Sequence, residues 1–154
     1  MKSFIIAAVL ITILYFGYKF SGGLTGFAAL PSQETIVTKI IDGDTVVIQG
    51  GEHVRLLGID SYERGERCYS EAKGRLEELV LGKKVSIESE GDDKDQYDRL
   101  LRWISLNGES VNEKMVSEGL AIARFYGDSK YKADIQEAER NAIENKIGCL
   151  WSVQ

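Results

Sequence analysis

The chain of 154 residues has the size and composition of one globular domain. Hydrophobic residues make up 44% of it and charged residues 28%, which excludes an intrinsically disordered protein. The formal net charge of −5 argues against a broad electrostatic nucleic-acid binder, so any polyanion bound here needs a local basic site or a metal ion.

The N-terminal region differs in composition from the rest of the chain. An uncharged apolar run extends from Phe4 to Tyr18, between Lys2 and Lys19. Because this run has no polar face, a targeting segment is a better interpretation than a buried core helix. The run fits the apolar region of a signal peptide and is shorter than the ~20 residues that span a bilayer comfortably. Cleavage near residues 26–29 and retention as a membrane anchor both remain open.

We therefore divide the chain into two parts. Residues 1–33 are interpreted as a hydrophobic helix, acting as signal peptide or membrane anchor, followed by a flexible linker. Residues 34–154 form the globular domain. Either fate of the leader predicts an extracytoplasmic protein, secreted or anchored in the membrane through residues 4–18.

The chain contains two cysteines, Cys68 and Cys149. In a cytosolic protein they would be free thiols in the core, whereas export favours an intramolecular disulfide between them. A zinc site is not expected, because the sequence has no CxxC motif and no cluster of cysteine and histidine.

The globular part begins with β-rich segments and then mixes strands with helices. The predicted strands cover residues 35–41, 45–49, 53–59, 83–90 and 99–107. The predicted helices cover residues 69–82, 111–120 and 129–146, with Asn112 as a possible N-cap and Gly148 closing the last helix. Five strands with a helix after the third favour an α+β fold, a small closed five-stranded barrel of the OB type with three helices.

Acidic residues stand at strand ends in the first half of the domain. Asp44 lies in a Gly-Asp-Thr turn and Asp60 ends a strand, so turn and strand-end chemistry explains each of them singly. Together, two carboxylates at neighbouring strand ends can converge on one hard cation such as Ca²⁺. Arg55 shares a strand face with Leu57 and Ile59, and it needs an anionic partner if that face is interior.

Five blocks of the sequence, in order, resemble the staphylococcal nuclease (thermonuclease) family. The blocks read IDGDT, VRLLGIDSYE, YDRLLRWI, VNEKMVSEGLA and GCLW, and they lie between residues 35 and 151. The resemblance implies a five-stranded OB-fold barrel with three helices. It also implies a nuclease that hydrolyses phosphodiester bonds of DNA and RNA with Ca²⁺ and leaves 3′-phosphorylated products.

The resemblance further implies a set of working residues. The implied Ca²⁺ ligands are Asp44, Asp60 and the backbone carbonyl of Ser61. The implied catalytic residues are Arg55, Glu63 and Arg99, with Tyr97 as a substrate contact. In that scheme Glu63 is the general base that accepts the proton of the attacking water, and the two arginines meet the developing charge on the phosphate.

Three positions depart from the family pattern. Ser61 stands in place of the usual threonine and supplies the same backbone carbonyl. Tyr62 stands where the family has proline, which frees the loop that carries Glu63. Asp98 replaces the usual glycine before Arg99, and its carboxylate could pair with that arginine and weaken it.

Two other functions are considered beside the nuclease. One is a catalytically inactive OB-fold module at the cell surface, for nucleic-acid binding or another interaction, and the other is an exported structural protein that uses Ca²⁺ for stability alone. Retention of the whole implied catalytic set weighs against the inactive module, because such modules typically lose these residues. Calcium-dependent release of nucleotides from DNA separates the nuclease from these alternatives, and in each case we expect a monomer.

Overall fold

The computed structural model describes residues 32–152. The strands are β1 (Gln33–Ile40), β2 (Thr45–Ile48), β3 (His53–Leu56), β4 (Ile59–Asp60), β5 (Lys84–Glu88), β6 (Leu100–Leu106), β7 (Glu109–Ser110) and β8 (Ile122–Ala123). The helices are α1 (Tyr69–Val80), α2 (Val111–Ser117), α3 (Lys132–Glu144) and the short α4 (Gly148–Trp151).

Five of these strands close into a barrel. β1 pairs antiparallel with both β2 and β5, β2 pairs with β3, and β5 pairs with β6. The two ends of this sheet meet because β3 and β6 run parallel and pair from Val54–Leu100 to Leu56–Arg102. The predicted α+β fold with a five-stranded OB-type barrel is therefore confirmed.

The barrel and the helices share one hydrophobic core. On β5 the buried residues alternate with more exposed ones, as a strand with one buried face requires. On α1 the buried residues are Ala72, Leu76 and Val80, each four positions apart, so one face of the helix packs on the barrel. Each fully buried leucine or valine of this kind contributes about 1.5–3 kcal/mol, and together the buried side chains hold the strand ends in fixed relative positions.

The predicted N-cap of α2 is wrong. Ser110 caps the helix and accepts a hydrogen bond from the Glu113 N–H at 3.2 Å. Asn112 is fully buried instead, where its side chain accepts from the Ile104 N–H at 3.0 Å and donates to the Leu57 carbonyl at 2.8 Å. A backbone donor and acceptor inside the barrel need these partners, and that need overrides the capping preference of asparagine.

The predicted strand over residues 53–59 is divided in two. β3 ends at Leu56, and Gly58 follows with a φ of 71°. A Cβ atom at Gly58 would lie 2.4 Å from the Trp103 ring, so only glycine allows the chain to bend there. The chain then enters β4, which pairs with β8 outside the barrel, and this pairing places Asp60 opposite Ile122.

The C-terminal end also differs from expectation. α3 ends at Glu144, and Gly148 begins α4 rather than closing α3. A disulfide joins Cys149 of α4 to Cys68 before α1, with Cα atoms 5.7 Å apart. This bond therefore links the start of the first helix to the last.

The predicted location is corrected by the structure. Among residues 32–152, no helix is both long and apolar enough to cross a membrane. The predicted membrane anchor therefore has no counterpart among the described residues, and the run 4–18 on which that prediction rested lies outside them.

Candidate active site

Asp44 lies in the tight turn between β1 and β2. Its N–H donates to Asp42 Oδ1 at 3.1 Å, which closes the turn. A Cβ atom at Gly43 would lie 2.7 Å from Ala72 Cβ and 2.8 Å from Ser61 Cβ, so the glycine lets the turn pack against α1 and the loop after β4. Asp44 itself is only 5% exposed.

The Asp44 carboxylate has several polar partners despite its burial. Oδ2 accepts a 2.6 Å hydrogen bond from the Ser61 N–H and lies 3.2 Å from Arg55 Nη2, while Oδ1 accepts from Thr45 Oγ1 at 3.1 Å. Burial raises the pKa of Asp44 and the neighbouring Asp42 adds to this, and the opposing effects of Arg55 and Ser61 do not cancel it. The ionised carboxylate would therefore gain from further positive charge.

Arg55 brings the two predicted metal-binding aspartates together. Its Nη2 lies 3.2 Å from Asp44 Oδ2 and 2.7 Å from Asp60 Oδ1, and its Nη1 donates to the Leu56 carbonyl at 2.8 Å. The Arg55 side chain is 15% exposed. Both carboxylates thus converge on a single cationic nitrogen atom.

A further arginine, Arg124, contacts Asp60 and was missed from the sequence. Its Nη1 lies 2.9 Å from Asp60 Oδ2, and its Nε donates to the Tyr126 hydroxyl at 2.8 Å. The β4–β8 pairing brings Arg124 here, and its N–H donates to the Gly58 carbonyl. The only sequence signal was the basic and aromatic run from Arg124 to Tyr126, which alone does not specify a site.

Arg99 reaches the same cluster from the other side. Its Nη1 lies 3.4 Å from Thr45 Oγ1, which in turn binds Asp44, and its Nε donates to Asp95 Oδ2 at 2.7 Å. The guanidinium carbon is 5.4 Å from the centre of the Tyr97 ring. Because Tyr97 is 71% exposed, its ring is open to a ligand at this edge.

The expected pairing of Asp98 with Arg99 is wrong. Asp98 forms an ion pair with Lys94 at 2.7 Å, and Asp95 is the carboxylate that binds Arg99. Asp98 has a φ of 65°, in the left-handed region that glycine adopts without strain. The aspartate is therefore accommodated by a turn that points its carboxylate to Lys94.

Glu63 and Ser61 belong to the loop between β4 and α1. Glu63 is exposed, and its N–H donates to Glu66 Oε2 at 2.8 Å. Among residues 32–152, no hydrogen bond or ion pair joins the Glu63 carboxylate to Asp44, Arg55 or Asp60. The described contact of Ser61 with the cluster is its N–H to Asp44, so the ligand role of the Ser61 carbonyl stays a prediction.

The carboxylate oxygens of Asp44 and Asp60 suit a hard cation, but they do not form a complete coordination shell. Within residues 32–152, no three side chains from histidine, cysteine, aspartate or glutamate are grouped closely enough to hold a metal ion. Two aspartates that already share one cationic nitrogen, one of them buried with a raised pKa, provide the oxygen ligands that Ca²⁺ prefers. Carbonyl and water oxygens usually complete such a coordination shell.

Comparison with known proteins identifies the family. The family model described as staphylococcal nuclease homologue matches residues 53–153. The chain is 30% identical to a thermonuclease of Staphylococcus intermedius, over 96% of this chain and 94% of that protein. It is 31% identical to a micrococcal nuclease of Shigella flexneri, over 75% of this chain and 72% of that protein. It is 37% identical to endonuclease YncB of Bacillus subtilis strain 168, over 74% of this chain and 59% of that protein.

The domain match, these relatives and the closed barrel agree with one another. The chain belongs to the staphylococcal nuclease family and is an endonuclease, a hydrolase that acts on nucleic acid.

Proposed function

We propose that this nuclease hydrolyses phosphodiester bonds of DNA and RNA in a Ca²⁺-dependent reaction that leaves 3′-phosphorylated products. The observation that carries the proposal is the convergence of Asp44 and Asp60 on Arg55 Nη2. Two carboxylates and a guanidinium at one point bind both a cation and a phosphate, which suits hydrolysis of an anionic ester.

The cation would be held by Asp44, Asp60 and the carbonyl of Ser61. When bound, Ca²⁺ would supply positive charge that offsets the phosphodiester charge and favours attack by water. The burial of Asp44 supports its role, because a carboxylate with a pKa raised by desolvation gains stability when a cation approaches. Asp60, with its side chain 32% exposed, stands at the solvent side of the pair.

Arg55 and Arg99 would bind the phosphate and stabilise its developing charge. Arg55 contacts Asp44 directly, and Arg99 reaches it through the Thr45 hydroxyl, so a phosphate at the cluster would meet guanidinium groups from two directions. Guanidinium groups bind phosphate oxygens in a bidentate manner, which orients the group as well as neutralising it. Losing one such donor costs ~10²–10³ in rate in comparable sites.

Glu63 would act as the general base. It follows Asp60 by three positions, in an exposed loop that begins at Ser61. The Ser61 N–H donates to the Asp44 carboxylate, so the start of this loop is bound to the cluster. The Glu63 carboxylate is accessible to water and would accept or orient the proton of the attacking molecule. Tyr97, exposed beside Arg99, would contact the sugar, phosphate or base of the bound strand.

The test is hydrolysis by the full chain of one DNA substrate and one RNA substrate, first with Ca²⁺ and then with excess chelator. We expect cleavage with Ca²⁺, loss of cleavage with chelator, and a phosphate on the 3′ end of each product. Asp44→Asn should abolish Ca²⁺ binding in calorimetry, whereas Asp93→Asn, which removes an exposed aspartate paired with Arg102, should not. Full activity in excess chelator would contradict the Ca²⁺ dependence.

The same assay addresses the alternatives. An inactive binding module would retain nucleic acid without releasing nucleotides, and a structural protein would gain thermal stability from Ca²⁺ without hydrolysis. Either result would contradict the proposed reaction.

A further inference from the structure

The loop that carries Glu63 is fixed at both ends although its middle is exposed. Residues 62–67 are all exposed. At the start of the loop the Ser61 N–H donates to Asp44 at 2.6 Å, which ties the loop to the candidate cation site. At its end Cys68 is 4% exposed and bonded to Cys149. Glu63 therefore lies on a short span between two anchors.

Arg67 adds a second link beside the disulfide. Its Nε donates to the Cys149 carbonyl at 2.9 Å, and its Nη2 donates to the carbonyls of Cys149 and Leu150. These carbonyls lie in α4, a four-residue helix whose last carbonyl groups have no partner within the helix. The Arg67 guanidinium supplies hydrogen-bond donors to these carbonyl groups, so it joins the end of the loop to α4.

α4 is held by contacts with the segment that follows α2, so it can fix the end of the loop. The Leu150 N–H donates to the Gly119 carbonyl at 3.2 Å. A Cβ atom at Gly148 would lie 2.1 Å from the Glu118 carbonyl, which shows how closely the two backbones approach. Glu118 is in turn held by Arg75 of α1 through hydrogen bonds of 2.6 and 2.8 Å.

Within the loop, Glu63 and Glu66 form a turn, and Arg67 follows it directly. The Glu63 N–H donates to Glu66 Oε2 at 2.8 Å, and the Glu66 N–H donates back to the Glu63 carbonyl at 3.0 Å. Because Arg67 directly follows Glu66, a displacement of Arg67 would move the turn. Tyr62 lacks the fixed φ of the family's proline, so restraint at the far end of the loop matters more here.

We propose that Arg67 and the Cys68–Cys149 disulfide act as one tether that positions Glu63 against the Asp44–Asp60 cluster, so that turnover falls when the disulfide is reduced. The inference rests on the proposed role of Glu63 in hydrolysis. Reduction by a dithiol adds two electrons and two protons, which breaks the sulfur–sulfur bond into two thiols while the dithiol forms its own disulfide. Arg67 is a positioning residue in this scheme.

The kinetic test compares four states of the full chain: oxidised wild type, wild type reduced with dithiothreitol, Arg67→Gln, and Arg64→Gln as the matched control. Arg64→Gln removes a positive charge from the same exposed loop. We expect kcat to fall ~10- to 100-fold in the reduced wild type and in Arg67→Gln, as a misplaced catalytic group does. We expect KM and the calorimetric Ca²⁺ affinity to stay within about twofold of wild type, and Arg64→Gln to match wild type.

A second readout follows the loop without using catalysis. Chymotrypsin cleavage after Tyr62, which is 44% exposed, is normalised to cleavage after Tyr126, which is 90% exposed. We expect this ratio to rise in the reduced protein and in Arg67→Gln and to be unchanged in Arg64→Gln. An unchanged ratio, or an unchanged kcat in both altered states, would overturn the proposal.

A double mutant separates positioning of Glu63 from a general structural role. If Arg67 acts through Glu63, Arg67→Gln costs nothing further in a Glu63→Gln background. Additive losses, or a loss of kcat that comes with unfolding or weaker Ca²⁺ binding, would overturn the positioning role. Absence of Ca²⁺-dependent hydrolysis in oxidised wild type would instead contradict the proposed function, while the cleavage ratio still decides whether the tether holds the loop.

Discussion

Two clusters of side chains in this protein, one around Glu90 and one around Asp44, shift the pKa of their carboxylate in opposite directions. Glu90 accepts hydrogen bonds from Trp103 Nε1 and Ser129 Oγ at 2.7 Å and from the Lys130 N–H at 3.0 Å. Burial alone would raise the pKa of Glu90, but these hydrogen bonds outweigh burial and the pKa lies below its ordinary value. At Asp44 burial is not outweighed, and the pKa lies above its ordinary value.

The difference distinguishes a structural cluster, around Glu90, from the candidate active site around Asp44. Glu90 has partners enough to be stable as an anion, so it would gain little from an added cation. At Asp44 the partners offset burial only in part, and carboxylates with a perturbed pKa are concentrated at sites that bind metals or perform proton chemistry. Whether the partners of a carboxylate outweigh its burial is therefore more informative than burial alone.

The largest expected effect is on turnover, through Arg55. Arg55→Gln removes the guanidinium that bridges Asp44 and Asp60 and that would bind the phosphate. We expect turnover to fall ~10²–10³-fold, because a charge-stabilising donor is lost. Steady-state hydrolysis of DNA at saturating Ca²⁺ measures the effect.

Arg102 provides a matched control for this prediction. It lies on the strand beside β3, its side chain is 12% exposed, and it pairs with Asp93 at 2.6 Å and with the Leu101 carbonyl at 2.8 Å. Arg102→Gln therefore removes a similarly buried and paired arginine away from Asp44. Equal losses in the two variants would show that Arg55 acts through stability alone.

The second prediction concerns stability in the structural cluster. Glu90→Gln sets an amide NH₂ against three hydrogen-bond donors, so at least one donor loses its acceptor. We expect the free energy of unfolding to fall by about 1–3 kcal/mol, with turnover of the folded enzyme unchanged. Urea unfolding and the nuclease assay measure the two effects, and a large loss of turnover would mean that the clusters are coupled.

The third prediction uses pH to distinguish the two carboxylates. Because folding raises the pKa of Asp44, the folded state favours its protonated form. The contribution of Asp44 to the free energy of unfolding is therefore present below the unfolded pKa near 3.8 and is lost as pH rises through the folded pKa. The lowered pKa of Glu90 means that its contribution is present above about 4.5 and is lost as pH falls through the folded pKa. The two residues therefore affect stability with opposite dependence on pH.

Metal-free urea unfolding between about pH 3 and 7 tests this contrast. The stability of wild type relative to Asp44→Asn should fall as pH rises, whereas that of wild type relative to Glu90→Gln should rise. Saturating Ca²⁺ should stabilise wild type at neutral pH and leave Asp44→Asn unaffected. Difference curves of the same sign would contradict the assignment.

The barrel could be predicted from the sequence because its signals are local. Gly50 and Gly51 stand between the antiparallel strands β2 and β3 and mark the turn of a hairpin. This signal and the spacing of Ala72, Leu76 and Val80 each depend on neighbouring residues along the chain. The bend at Gly58 and the burial of Asn112 depend instead on what packs against them, namely Trp103 and the Ile104 backbone. Such contacts between distant segments leave no periodic pattern in the sequence.

The same division applies to the candidate site. The motifs around Asp44, Arg55 and Asp60 identified residues that the structure brings into contact. Asp95 and Arg124 were missed as partners, because each is brought to the site by a turn or a strand pairing rather than by a motif. Asp98 was expected beside Arg99 on adjacency alone, and its positive φ turns it towards Lys94 instead.

The smallest expected effect is on cation affinity, through Arg124. Both oxygens of Asp60 are bound by guanidinium groups, Oδ1 by Arg55 and Oδ2 by Arg124. A cation at Asp60 must compete with both, and Arg124 also adds positive charge close to the ion. Arg124→Gln should therefore tighten Ca²⁺ binding, but only ~2- to 5-fold, because the Arg124 side chain is 50% exposed and water screens the pair.

Calorimetric titration of the metal-free full chain with Ca²⁺ measures this change. Arg140→Gln is the control, since Arg140 pairs with Glu137 on the surface of α3 and its loss changes the net charge equally. Tighter binding in both variants would attribute the effect to overall charge. Weaker binding in Arg124→Gln would show that the arginine holds Asp60 in the orientation that the cation needs, so that Arg124 assists the site instead of competing for it.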